Sequence, residues 1–315
     1  MRYFVTGGAG FIGSNYINYL FREVTNLSSV TIFDNFTYAS NKKNYSLFSE
    51  DKRLKVIDGD IRDSKKLKNS MAGSDIVVHF AAESHVDRSI NNASAFVSTN
   101  IQGTLNVLEA CLELGVKTLL NVSTDEVYGS IKIGEADEQS PLLPNSPYAA
   151  SKSSSDLLCR SFSITHNLDV RTTRCCNNFG KNQFPEKLIP VVIRSLADGE
   201  KVPIYGDGSN IREWIHVSDH CKAIQLVIEK GKPGETYNVG TGVRYSNIDL
   251  VRLIVESMGL DENRIVFVKD RKGHDFRYSI NGNKIRELGF SPESNFMESL
   301  NETIEWYLSN PNWWA

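Results

Sequence analysis

Tyr3-Phe4-Val5-Thr6-Gly7-Gly8-Ala9-Gly10-Phe11-Ile12-Gly13-Ser14 is the stretch on which the fold turns. Tyr3 to Thr6 reads as a short apolar strand and Ser14 to Glu23 as a helix, with Gly8-x-Gly10-x-x-Gly13 between them. A cluster of glycines alone is a turn. Between a strand and a helix it lets the backbone approach a pyrophosphate closely, and the helix N-terminus adds free N–H groups and the positive end of its dipole. The second strand, Val30 to Phe33, ends at Asp34, about twenty residues past the last glycine, where a carboxylate accepts hydrogen bonds from ribose hydroxyls. Such a carboxylate repels a 2′-phosphate, and no arginine immediately follows it, so the stretch predicts NAD rather than NADP.

The alternation continues. Leu54 to Ile57 is a third strand, closed by Asp58-Gly59-Asp60-Ile61; Asp60 reads as an adenine contact or as a cap for the helix starting near Ser64. Ile76 to Phe80 is a fourth, and the small residues Ala81 and Ala82 at its end leave room for a cofactor. His85 and Asp87 read equally as catalytic or as solvated loop residues. Thr99 to Leu114 has helical spacing, with Ile101, Leu105, Leu108 and Leu112 on one stripe and Val107, Ala110 and Leu114 on a second. One stripe can pack on a sheet; the other needs a further partner. Thr118 to Val122 and Val170 to Arg174 are strands five and six. Strands alternating with helices predict an α/β fold, a doubly wound parallel (Rossmann) sheet.

After Gly180 the alternation breaks. Glu186 to Pro190, Val202 to Gly206 and Ile211 to His216 read as loops and short elements, and Asp219 to Glu229, Asp249 to Met258 and Phe296 to Leu308 as helices. Tyr237 to Val239 is a short strand, and Asn295 with Glu298 resembles a capping box. The expected division is a cofactor domain over 1–178, rejoined by about 215–242, and a smaller, non-contiguous C-terminal substrate-binding lobe within 179–315.

Composition narrows the classes. The chain has 315 residues, 40% hydrophobic and 23% charged, enough to bury a large core. A formal net charge of -3 gives no argument for nucleic acid or an anionic membrane. The apolar run Ile76 to Ala82 has strand length, far short of a membrane span. No basic region and cleavage site precede the first strand, which makes secretion an unexpected fate. Five cysteines, none in a Cys-x-x-Cys pair, read as reduced thiols of a cytoplasmic protein. His216 and His220 are four apart, yet no glutamate adjoins them and no third ligand is evident, so no metal site is expected.

Two stretches carry the chemistry. Thr124-Asp125-Glu126 follows the fifth strand at its carboxyl end, where ligands bind in open α/β sheets. Ser146-Pro147 starts a helix, which puts Tyr148 in its first turn and Lys152 one turn later on the same face. A tyrosine with a pKa of about 10 is a weak base. Lys152 and a cationic nicotinamide favour its phenolate, which can then take a proton from a substrate hydroxyl while hydride leaves the same carbon.

Beyond these readings, the chain resembles the extended short-chain dehydrogenase/reductases, and among them the dTDP-glucose 4,6-dehydratases. The likeness covers nearly the whole chain. Its motifs are Gly7 to Gly13, Ala81 to Ser89, Ser123 to Gly129, Tyr148 to Lys152, Asn177-Asn178, Pro185 to Pro190 and Gly273-His274-Asp275. Thr124-Asp125-Glu126 is the most specific, because epimerases of the superfamily usually lack both acids.

The resemblance implies oxidation at C4 of the sugar, elimination of water across C5 and C6, and hydride return to C6 with NAD regenerated. It implies Thr124 on the 4-hydroxyl, Asp125 as general acid, Glu126 as general base and Tyr148, with Lys152, as the oxidation base. For the cofactor it implies Gly7, Gly10, Phe11, Ile12 and Gly13; then Asp34, Asn35, Phe36 and Thr37; then Asp60 and Ile61. Phe80, Ala81, Ala82, Ser84, Thr99 and Asn178 complete that set, with Tyr148 and Lys152. For the substrate it implies Ser84, Thr124, Asn177, Lys187 and Leu188; Pro203, Ile204 and Tyr205; Arg212 and Asn247; and Asp270, Arg271 and His274. It also implies a homodimer built on a four-helix interface. The chain departs from the family pattern at Phe179, Lys181 and Lys272, all near the expected substrate lobe. The alternatives are a sugar-nucleotide 4-epimerase or a UDP-glucuronate decarboxylase, either of which leaves Asp125 and Glu126 without a task, and a regulatory NAD sensor, which has no need of Lys152 on the face of Tyr148.

Overall fold

The computed structural model describes residues 1–313; Trp314 and Ala315, the end of the lobe expected within 179–315, lie outside the described residues. The chain opens with β1 (Arg2–Thr6), α1 (Phe11–Glu23), β2 (Ser29–Asp34), β3 (Leu54–Asp58), α2 (Ser64–Met71) and β4 (Ile76–His79). Two short helices, α3 (Val86–Asn91) and α4 (Ala93–Phe96), precede α5 (Gly103–Leu114), β5 (Thr118–Thr124), α6 (Pro147–His166) and β6 (Val170–Cys175). Then come β7 (Asn177–Phe179), α7 (Leu188–Ala197), β8 (Val202–Tyr205), β9 (Ile211–His216), α8 (Val217–Lys230) and β10 (Thr236–Val239). The last elements are β11 (Arg244–Ser246), α9 (Asn247–Ser257), β12 (Ile265–Val268), α10 (Asn283–Glu287) and α11 (Phe296–Ser309).

Seven parallel strands form one sheet in the order β10-β6-β5-β4-β1-β2-β3. Side-chain alternation along each strand explains why both faces are covered. Tyr3, Val5, Val30, Ile32, Val78 and Leu120 pack with Ile17 and Leu20 of α1 and Ile224 and Val227 of α8. Phe4, Phe33, Val77 and Leu119 point the other way, onto Leu67 and Met71 of α2, Val107 and Leu108 of α5, and Cys159 of α6. Strand order reverses between β1 and β4, and in such sheets the reversal opens a crevice at the carboxyl ends. A second core, including Ile189, Val192, Ile204, Trp214, Leu250 and Ile304, belongs to the region carrying the small sheets β11-β9-β7 and β12-β8.

Several local expectations change. The stretch Glu186 to Pro190 is not all loop: α7 begins at Leu188 with Pro190 in its first turn. That turn has no intrahelical acceptor for its N–H groups, so proline costs nothing there. The helix expected from Thr99 begins earlier, as wide i→i+5 turns over Val97–Gln102 that run into α5. Those turns leave Asn100 bonded to both main-chain groups of Glu83, at 2.8 and 2.9 Å. Asp63, not Asp60, caps α2. Ser146 caps α6 as its spacing predicts, by accepting from the N–H of Ala149. Among the described residues no helix is long and apolar enough to cross a membrane.

Candidate active site

A cavity of about 720 Å³ runs along the carboxyl ends of the parallel strands and out to β8 and β9. Of the residues expected at the site, all line it except Phe36 and Asp270. Phe36 has a φ of 45° and gives its N–H to Asp34, with its ring under the ammonium of Lys42 at 5.3 Å. Asp270 holds Nδ1 of His274 at 2.7 Å and so acts on the wall through a neighbour.

At one end the glycine turn is a cradle that side chains would fill. A Cβ on Gly13 would stand 2.3 Å from the carbonyl oxygen of Gly7, and one on Gly7 (φ +70°) 2.6 Å from the nitrogen of Ala81. The first residues of α1, Phe11 to Gly13, line the cavity, and Gly10 at the N-cap brings no capping side chain. That leaves the N–H groups of the first turn for an anionic ligand. Asp34 accepts from the N–H of Ala9 and of Phe36, both at 2.9 Å, and keeps lone pairs for hydroxyls. Burial raises its pKa, against those two bonds. Asp60 is paired with Arg62 at 2.5 Å and Asn35 at 3.1 Å.

Midway, β5 delivers its last residues. Thr124 caps the turn Asp125–Tyr128, accepting from the N–H of Glu126 at 3.3 Å and donating to Oδ1 of Asp125 at 3.3 Å. Asp125 is 2% exposed, and burial, then Glu126 and Glu213, hold its carboxyl protonated well above the ordinary range. Glu126 is also raised, by burial, against the pull of Lys187, Arg212 and Arg271. Tyr148 packs edge-on to Phe96 with ring centres 6.3 Å apart. Burial first, then Glu126, push its phenol well above the usual value, while a hydrogen bond with Thr124 lowers it. Lys152 is not hydrogen-bonded to Tyr148; its ammonium donates to the Val122 carbonyl at 2.8 Å, and burial lowers its pKa against the attraction of Asp156.

At the far end, cations converge. Lys187 donates to the carbonyl of Ser84 at 2.7 Å, and Arg271 meets Asp87 at 3.4 Å. Arg212, 5% exposed, is braced by the carbonyls of Ile211 (2.8 Å) and Asp275 (2.9 Å). Tyr205 and His274 present an edge-to-face pair at 6.4 Å. Ser123 Oγ, Asp125 Oδ2, Glu186 Oε2, Trp214 Nε1 and Arg271 Nε are buried without a hydrogen-bond partner, and their residues all line this cavity. Of these, Glu186 Oε2 has an ion pair with Arg88 at 3.7 Å; the others, without hydrogen bonds in one cavity, fit a polar ligand.

His85 caps α3 by accepting from Arg88 and stands 4.0 Å from Glu186. His216 pairs with Ser218 and His220 with Asn178, and no cluster of His, Cys, Asp and Glu among the described residues could hold a metal. The sequence reading assigned no role to Glu186, Trp214 or Tyr278. Glu186 lies inside a motif already quoted, so proximity to Lys187 could have found it. Tyr278 reaches the wall only because Ile211 bridges Arg277, a pairing with no signature in the sequence.

A family model described as GDP-mannose 4,6 dehydratase matches residues 4–303. A curated dTDP-glucose 4,6-dehydratase from Streptomyces niveus is 48% identical over 318 residues, covering 100% of this chain and 95% of that protein. The chain belongs to the dTDP-glucose 4,6-dehydratase family. Another relative, the low-salt glycan biosynthesis protein Agl12 of Haloferax volcanii, is 47% identical over 97% of this chain and 98% of its own length. The dTDP-glucose 4,6-dehydratase of Streptomyces venezuelae, solved with NAD and dTDP bound, superposes with a TM-score of 0.98 at 50% identity, covering 100% of this chain and 99% of that one.

Proposed function

We propose that this protein is an NAD-dependent dTDP-glucose 4,6-dehydratase, a hydro-lyase that converts dTDP-glucose to dTDP-4-keto-6-deoxyglucose. The observation that carries the reading is the pair Asp125 and Glu126, placed just past β5 in the cavity that Tyr148 also lines. The glycine cradle and Asp34 fit NAD. Bound there, NAD would supply the hydride acceptor for C4 and, once reduced, the hydride donor for C6.

The chain's own residues do the proton work. Thr124 holds the 4-hydroxyl and Tyr148 takes its proton. The new C4 ketone acidifies the hydrogen on C5, which Glu126 removes and gives back to C5 when hydride reaches C6. Asp125, protonated through burial and the adjacent carboxylate, gives its proton to the departing C6 hydroxyl. Arg212, Lys187 and Arg271 hold the diphosphate, since guanidinium matches phosphate oxygens in pairs. Tyr205 and His274, with Pro203, Ile204 and Asn247, are assigned to the nucleoside.

An epimerase or decarboxylase of the same fold would use Tyr148 and leave both acids idle. Mass spectrometry after incubation with dTDP-glucose tests the assignment. Loss of one water from the sugar nucleotide is expected; unchanged mass sinks the dehydratase reading.

We assign residues 1–178 with 215–242 to cofactor binding and the rest of 179–315 mainly to substrate. The place of β10 at the edge of the large sheet and of α8 beside α1 supports this division. We further assign a homodimer in the cytoplasm. Exposed Leu112, Leu157 and Ile164 on α5 and α6 support the first, and five buried free cysteines suit a reducing compartment.

A further inference from the structure

We propose that Tyr278 is a positioning residue for the elimination step, holding the carboxylate of Glu126 through a hydroxyl shared with Asp275. The proposal rests on reading Glu126 as the base that takes the C5 proton.

The hydroxyl of Tyr278 lies 2.9 Å from Oδ2 of Asp275 and 3.3 Å from Oε2 of Glu126. Tyr278 is 3% exposed and fixed on every side. The guanidinium of Arg212 stands over its ring, 4.3 Å from the centroid. Its N–H donates to the carbonyl of Ile211 at 3.3 Å. Asp275 is itself anchored, with Oδ1 accepting from Asn145 at 2.6 Å. A segment 152 residues away in sequence is thus locked onto the catalytic turn through one oxygen.

A phenol has one proton and two acceptors here, so it cannot donate to both carboxylates at once. When Glu126 is ionised, the phenol O–H can turn to it. When Glu126 has taken the C5 proton, the phenol O–H returns to Asp275 and its oxygen accepts from the new carboxylic acid. Glu126 therefore keeps a partner, and one rotamer, in both protonation states. Phenylalanine would fill the same space without either bond.

Other charges also face Glu126: Lys187, Arg212 and Arg271 favour its anion, and Asp275 and the neighbouring Asp125 oppose it. Hydrogen bonds to a charged group are the stronger kind, so losing the phenol donor disfavours the anion on balance.

The test compares single-turnover elimination in the NAD-loaded enzyme with dTDP-glucose across pH, read from reappearance of oxidised nicotinamide. Tyr278→Phe should slow elimination about 10–100-fold, the worth of one hydrogen bond to a charged group, and move the acidic limb to higher pH, leaving KM and C4 oxidation unchanged. Asp275→Asn should move the same limb to lower pH, because the hydroxyl is released to Glu126. Unchanged rate and limb in Tyr278→Phe overturn the proposal. If that variant loses its fold, an unmoved limb in Asp275→Asn overturns it instead. Glu126→Gln separates the two levels: full elimination in that variant refutes Glu126 as base, whereas its loss beside an unaffected Tyr278→Phe refutes only the role of Tyr278.

Discussion

Lys152 gives its buried ammonium to the carbonyl oxygen of Val122 across 2.8 Å, pinning the helix that carries Tyr148 to the strand that ends in Thr124. Together with Asn121 donating to Asp156 at 3.2 Å, this bond fixes the spacing between the two halves of the proposed chemistry. The bond to Val122 uses one of the three donors of the Lys152 ammonium. Burial and Glu126 dominate Tyr148, which stays neutral until a cationic nicotinamide adds its charge.

Lys152→Met should consequently fail twice. The Val122 carbonyl loses its partner in a buried site, at a cost of about 1–3 kcal/mol in stability. C4 oxidation should fall by about 10²–10⁴-fold as the cationic charge near Tyr148 is lost. Thermal unfolding and single-turnover absorbance of reduced nicotinamide check the two effects separately. A variant with parental Tm and parental oxidation removes both arguments.

Burial and the neighbouring Glu126 make Asp125 a pH-dependent contributor to stability. Its folded pKa is raised, so its contribution to stability is fully present below the unfolded carboxylate value of about 3.9 and is lost as pH rises through the folded one. Asp125→Asn does not titrate. Its Tm relative to the parent should climb as pH rises through that window, by on the order of 2–4 °C for each kcal/mol relieved. A difference that stays flat with pH contradicts the assignment. Elimination in the parent should follow a bell: its acid limb, from Glu126, lies above the ordinary glutamate range, and its alkaline limb belongs to Asp125.

Much of this was legible in the sequence, and the reasons are local. The glycine spacing after β1, the Ser146-Pro147 start of α6 and the four-residue step from Tyr148 to Lys152 depend on neighbours in sequence, so they read directly. The helix ending at Leu114 also read directly, but its two stripes do not divide as expected, since Val107 and Leu108 share one core and Leu112 is exposed; nor did its wide first turns read, because Asn100 there grips Glu83, which lies outside the helix. Tyr278 and the orphaned indole N–H of Trp214 were invisible. Their positions come from strand pairing between distant segments, and side chains that meet only through tertiary register leave no pattern along the chain.

The glycine cradle separates two close substitutions. Gly13→Ala puts a Cβ 2.3 Å from a rigid main-chain oxygen, whereas the nearest atom to a Cβ on Gly10 is that same Gly7 oxygen at 3.3 Å. Gly13→Ala should lose bound NAD and fold stability together. Gly10→Ala should keep its fold and retain more cofactor. The ratio of absorbance from nucleotide to that from protein after gel filtration, with Tm, measures both. Equal behaviour of the two variants contradicts the cradle.

The exposed apolar side chains of α5 and α6 need a cover. Leu157 and Ile164 on α6 are 57% and 61% exposed, and Leu112 on α5 is 38% exposed. Two copies of α5 and α6 would bury them as a four-helix interface. Sedimentation at micromolar concentration should give a dimer, and Leu157→Glu with Ile164→Glu a folded monomer. A monomeric parent rules this interface out.

If Tyr148 serves C4 oxidation while Asp125 and Glu126 serve elimination, the halves can be uncoupled. Asp125→Asn with Glu126→Gln keeps shape and removes proton transfer. Thr124, Tyr148 and Lys152 remain, and C4 oxidation should proceed. The measurement is single-turnover absorbance of reduced nicotinamide on mixing with dTDP-glucose. The double variant should build up that signal and hold it, with C6 deoxygenation slowed by at least about 10²–10⁴-fold. Tyr148→Phe should give no such signal. If the double variant dehydrates at the parent's rate, Asp125 and Glu126 are loop charges and the account is wrong.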